Sequence, residues 1–115
     1  MLDVTVKRSE WYRGNGAVSS RLRRWDEQMC CWGFVCLAAG MQPNVIKGVS
    51  ILNELDHEDL NCLPVECFTD DADSIIEDMY RENDRPTHSA AEEAGREPYL
   101  TKQGRKVGIN FTFVD

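Results

Sequence analysis

Histidine is nearly missing from this chain, which holds only His57 and His88. A nucleophile that needs an imidazole base therefore has two candidates to draw on. No Cys-x-x-Cys pair occurs among the five cysteines, so the close ligand pairs typical of structural zinc are lacking. No Asp-x-Asp-x-Asp-Gly loop is present, which argues against calcium. Long apolar runs are lacking too. The most apolar stretch, Met29 to Gly40, falls well short of the ~20 residues of a spanning helix, and its mid-chain position does not suit a signal peptide. Met1-Leu2-Asp3-Val4 carries an acid early and no leader character. We expect a cytoplasmic protein, in the host cytosol if phage-encoded, without a membrane segment.

What is present fits one globular domain over residues 1–115. Hydrophobic residues make up 42% and charged residues 29%, with three Trp and four Phe to supply buried area, which sets the chain apart from disordered compositions. Five cysteines are an odd number, and Cys30, Cys31 and Cys36 fall inside the apolar run. They are expected as thiols that pack as small apolar groups. The net charge of −7 is unevenly spread. Residues 1–24 carry six cations against Asp3 and Glu10, a balance of +4, whereas residues 54–84 carry twelve carboxylates against Arg81, a balance of −11.

Local patterning predicts an α+β fold. Leu2 to Val6 alternates as a half-buried strand, and Val107 to Val114 does so more clearly, with Val107, Ile109, Phe111 and Phe113 on one face. Gly14-Asn15-Gly16 is a turn signal, and Ser19-Ser20 continues that loop. Glu27 to Ala39 is apolar nearly all round, as a central buried helix is, with Asp26 as N-cap and Gly40 as stop. Gly33 inside it invites close approach of another backbone. Val45 to Leu55 has near-helical spacing weakened by Gly48, and 56–69 reads as a loop or irregular edge. Asp70 to Asn83 is a helix with acids in its first turn and Ile75, Ile76, Met79 and Tyr80 on its apolar face. Ser89-Ala90-Ala91-Glu92 fits a capping box, and Pro98 kinks the helix it opens or starts a second one. The central helix and two to three others should pack on a small antiparallel sheet that pairs the terminal strands. Two strands make a marginal sheet, so Glu66-Cys67-Phe68 or a partner chain is expected to add a third.

Four patches, Glu10-Trp11-Tyr12-Arg13-Gly14, Met29-Cys30-Cys31-Trp32-Gly33-Phe34, Glu82-Asn83-Asp84-Arg85 and Val107 to Asp115, occur in an order with a known likeness. The chain resembles a family of small uncharacterised proteins of bacteriophages, prophages and bacteria. These share Trp-x-x-Gly, Cys-Cys-x-Gly, Asn-Asp and a C-terminal Phe-Val-Asp. The resemblance implies a viral or prophage setting and carries no activity. Typical members have a small or aliphatic residue where Trp32 stands and lack the break that Pro98 brings.

Several chemistries can be set against these residues. Cys31 near a helix start, with His57 and Asp59 in the acidic loop, is a conceivable nucleophile constellation. Zinc would need Cys62, Cys67 and His57 joined by Cys30 or Cys31. The basic arm of Arg21, Arg23 and Arg24, flanked by Trp11, Tyr12 and Trp25, has the makings of a stacking surface, but the net negative charge opposes nucleic acid. The acidic segment can instead occupy basic grooves. We expect a non-enzymatic interaction protein without a cofactor or bound metal. It would bind a host or viral protein partly through Asp70, Asp71, Asp73, Glu77 and Asp78. A small enzyme or zinc protein centred on Cys31 and His57 is the alternative, and the opposed charges of arm and acidic segment also suit a homodimer.

Overall fold

The computed structural model describes residues 1–14, 16 and 21–115, which fill 40 × 30 × 25 Å. Asn15 of the expected turn and Ser19-Ser20 of the expected loop lie outside the described residues. Two strands, β1 (Leu2–Lys7) and β2 (Ile109–Val114), bracket six helices. These are α1 (Cys31–Ala38), α2 (Pro43–Ile46), α3 (His57–Leu60), α4 (Ala72–Asp84), α5 (Ala90–Ala94) and α6 (Arg96–Lys106). No helix is long and apolar enough to cross a membrane among the described residues.

The α+β class holds, but the strands pair parallel, not antiparallel, with Leu2 opposite Ile109 and Val6 opposite Phe113. Alternation fixes which side chains face the core, and it does so equally for either direction. The long helical crossover between β1 and β2 permits the parallel pairing found here. Val4, Val6, Ile109 and Phe111 are buried beneath α1 and α6, while Asp3, Thr5, Lys7, Thr112 and Val114 stand exposed on the opposite face. The third strand expected at Glu66-Cys67-Phe68 is a 3₁₀ turn over Val65–Phe68. Pro64 precedes it and supplies the carbonyl that Cys67 N–H bonds at 2.9 Å, which curls the backbone instead of extending it.

The buried central helix is α1, whose residues Cys31 to Cys36 are all buried. It begins four residues later than its pattern indicated. Met29 N–H and C=O are drawn into a bridge with Glu10 and Tyr12, and Glu27 takes a positive φ of 71°, which no helix accommodates. Asp26 therefore caps a turn, accepting from Gln28 N–H at 3.1 Å, and Cys30 occupies the N-cap position. Gly33 does admit another backbone: a Cβ there would lie 1.8 Å from the Leu22 carbonyl oxygen. Val45 to Leu55 does not continue as a helix, because Gly48 turns at φ +79° and Lys47 bridges Arg23. Ser89 caps α5 by accepting from Glu92 N–H at 3.1 Å, though the Glu92 carboxylate reaches back to His88 N–H and not to Ser89. Pro98 sits in the first turn of α6, where no intrahelical N–H is required of it.

Candidate functional site

The segments around Trp11, Cys31, Asn83 and Phe113 meet in the interior. Fully buried Asn83, near the end of α4, accepts through Oδ1 from Trp11 Nε1 at 2.7 Å and from Cys31 N–H at 2.9 Å. Its Nδ2 donates to the Tyr12 carbonyl and to Asp84 Oδ1, both at 3.1 Å. Gly14 N–H closes on the Asn83 carbonyl at 2.8 Å, and the Trp11 ring lies 5.0 Å from that of Phe113. Arg96 completes the knot. Its side chain is wholly buried, and Nη1 donates to the Glu82 and Asn83 carbonyls while Nη2 donates to the Arg85 carbonyl. One guanidinium thus serves three carbonyls around the end of α4, while Gly16 N–H takes that of Asp84 at 2.6 Å. Glu93 pairs with it at 2.9 Å, and that hydrogen bond holds the Glu93 carboxyl below its ordinary range. All four polar positions of Asn83 are spent on the protein itself, so this knot is an element of folding.

The thiols offer little chemistry. Cys30, Cys31, Cys36 and Cys67 are buried. Burial pushes the Cys30 thiol up to about 12 and raises Cys31 well above the ordinary range, where no reactive thiolate forms near neutral pH. His57, the base paired with Cys31 on paper, stands exposed at the start of α3. Cys62 is exposed with its sulfur on the Asp59 carbonyl, whereas buried Cys67 turns its sulfur to the Val107 carbonyl. No group of three or more His, Cys, Asp or Glu is placed to hold a metal among the described residues.

The basic arm is largely engaged within the molecule. Arg24 stacks on Tyr12 at 3.8 Å and Arg13 on Trp11 at 4.3 Å, and Trp11 itself is buried. Arg23 pairs with Glu27 and Arg24 with Asp26, while Arg21 donates to the Gly48 carbonyl. Only Trp25, at 72% exposure, remains an open aromatic of the three the arm counted on.

The acidic segment does form a concavity. A cleft of about 890 Å³ opens between α4, the 3₁₀ turn Leu52–Glu54, Arg85-Pro86 and Tyr99. Ile51, Leu52, Ile76 and Tyr80 give it an apolar side, and Leu52 N–H donates to the Tyr80 hydroxyl at 2.9 Å, fixing the turn against the helix. Five carboxylates line it, those of Asp73, Glu77, Asp78, Glu82 and Asp84, against the guanidiniums of Arg81 and Arg85. Arg81 is bound to Glu77 at 2.7 Å and to Asp78 at 3.7 Å, and Arg85 to Glu82 at 2.7 Å. Of the five acids singled out from the sequence, Asp73, Glu77 and Asp78 line the cleft, whereas Asp70 and Asp71 precede α4 and do not. Ile51 and Tyr99, 37% and 40% exposed, join the lining without any signal in the sequence. Each comes from a segment distant in sequence, and an exposed apolar residue in a short irregular turn or a helix end gives no periodic signal. Comparison with family models, curated proteins and solved structures gave no match to this chain.

Proposed function

We propose that this protein is a non-enzymatic interaction module that holds a basic, partly apolar segment of a host or viral protein in the cleft beside α4. The viral or prophage setting is what the resemblance of the four sequence patches implies. The observation that carries the reading is the pairing, in one concavity, of an apolar side built by Ile51, Ile76 and Tyr80 with an excess of three carboxylates. Such a surface attracts a cationic segment at long range and then buries its aliphatic parts. Burial of Cys31 weighs against the alternative centred on Cys31 and His57, which needs an accessible thiolate.

The test places a photo-crosslinking residue at Asn53, on the rim of the cleft, and at exposed Thr112 on the far strand as control. Irradiation in bacterial lysate should give a discrete adduct from the Asn53 position alone. The adduct should disappear on Asp73→Lys with Glu77→Lys and weaken steeply with salt. Adducts indifferent to charge reversal, or equal at both positions, would contradict the reading.

A further inference from the structure

A two-stranded sheet is marginal by itself, and β1 forms one of its edges. Leu2 N–H bonds the Gly108 carbonyl at 2.9 Å, which sets the phase of the parallel ladder. In such a ladder alternate residues turn their backbone groups toward the neighbour. Leu2, Val4 and Val6 therefore face β2, and Asp3, Thr5 and Lys7 present N–H and C=O outward. Among the described residues, no backbone hydrogen bond reaches Asp3 or Thr5 from outside the strand pair, whereas the Lys7 carbonyl opens the 3₁₀ turn Arg8–Glu10 and leaves its N–H as the outward group. Their side chains lie on the open face of the sheet and all three residues are exposed. Asp3 Oδ1 accepts there from Asn110 Nδ2 at 3.0 Å, and Lys7 has no ion pair among the described residues.

We infer that β1 is a self-association edge, pairing antiparallel with β1 of a second copy about Thr5. The register follows from parity and charge. In an antiparallel pair centred on Thr5, the outward-facing residues meet one another: Thr5 meets Thr5 of the second copy, and Asp3 meets its Lys7. The Thr5 pair would exchange both backbone bonds, and each Asp3–Lys7 pair would be joined by the Lys7 N–H donating to the Asp3 carbonyl. The two-fold axis repeats the Asp3–Lys7 contact, so one exposed strand supplies two opposite-charge cross-strand pairs and a Thr–Thr pair, all favourable combinations. A lysine on an edge ordinarily discourages pairing. Here the carboxylate at the symmetry-related position meets it. The product is a four-stranded sheet in the order β2-β1-β1-β2.

Sedimentation equilibrium of the full chain over a concentration series tests this directly, with circular dichroism as the check on folding. The wild type should sediment as a dimer. Thr5→Pro removes an outward N–H that the sheet of one copy does not use, and should give a folded monomer. Asp3→Lys and Lys7→Asp should each weaken the dimer by ~tenfold or more, since like charges then oppose. The two together should restore it. A monomer at all concentrations, a dimer indifferent to both single reversals, or a double variant as weak as the singles would overturn the proposal. Because both reversals lie on an exposed face, they keep the test decisive even where Thr5→Pro fails to fold.

Discussion

The indole N–H of Trp11 donates to Asn83 Oδ1 at 2.7 Å, and so ties the segment after the first strand to the end of α4, 72 residues along the chain. The same oxygen takes the first N–H of α1, so truncating one amide strands two buried donors. Asn83→Ala should cost roughly 3 kcal/mol, from about 1–3 kcal/mol per orphaned donor. Trp11→Phe removes one donor and should cost less. Chemical denaturation of both single variants and the double should show a coupling of about 1 kcal/mol or more. Additive effects would contradict the bond.

Trp32 makes the contrasting case. It is fully buried like Asn83, but its Nε1 has no partner among the described residues. Trp32→Phe therefore relieves an unmet donor while losing some packing, and its net cost should stay within about 1 kcal/mol. A loss as large as that of Asn83→Ala, read on the same denaturation curves, would mean the indole N–H is satisfied.

Gly33→Ala should destabilise by about 2–3 kcal/mol even though alanine is the better helix former. The added Cβ would fall 1.8 Å from the Leu22 carbonyl oxygen and 2.8 Å from the Met29 side chain. The first of these is backbone pinned on both sides, since Leu22 N–H donates to the Val49 carbonyl and the preceding Arg21 carbonyl accepts from Cys30 N–H. An unchanged melting temperature would show that the segment carrying Leu22 yields.

The thiols set an alkaline limit. Below pH 9 the Cys30 thiol keeps its proton whether folded or not, and contributes nothing to the pH dependence. Above its ordinary value of 9.0 the unfolded chain releases a proton that the folded chain holds up to about 12. Stability should therefore fall across that window by ~1.4 kcal/mol per pH unit for each such thiol. Cys30→Ala should flatten the slope by one group. At neutral pH a thiol reagent should titrate one of the five cysteines in the native protein, exposed Cys62, and all five after denaturation.

Acid should act through Arg96. Glu93 is held below its ordinary carboxyl value chiefly by its hydrogen bond to Arg96, so its contribution is complete above that value and is lost as pH falls through the lowered one. Glu93→Gln should lower stability at neutral pH and have progressively less effect in acid. The measure is the difference in denaturation midpoint between the two proteins as a function of pH.

Much of this architecture could be read locally. Ile75, Ile76, Met79 and Tyr80 announce α4 by their spacing, and Val107 to Phe113 announces β2 by its alternation, because each element buries one face. The close approach at Gly33 was readable because glycine is costly in a helix without a reason. Direction of strand pairing was not readable, since Val4 and Phe111 face the core either way. The start of α1 escapes its apolar pattern because Met29 is claimed by Glu10 and Tyr12, a contact between segments that no periodicity records. In sequence Asn83 is the last residue of a helix, and its role as the hub escapes notice for the same reason. In the cleft, Asp73 and Glu77 could be placed together by their spacing of four, whereas Ile51 and Tyr99 join them only through tertiary packing.

The most direct test of the interaction reading is an amide chemical-shift titration with two peptides of equal length and aliphatic content, one lysine- and arginine-rich and one aspartate- and glutamate-rich. The basic peptide should perturb Asn53, Asp73, Ile76, Glu77 and Tyr99 in a saturable way that Asp73→Lys with Glu77→Lys abolishes. Equal responses to both peptides, or shifts that leave the α4 cleft untouched, would contradict it.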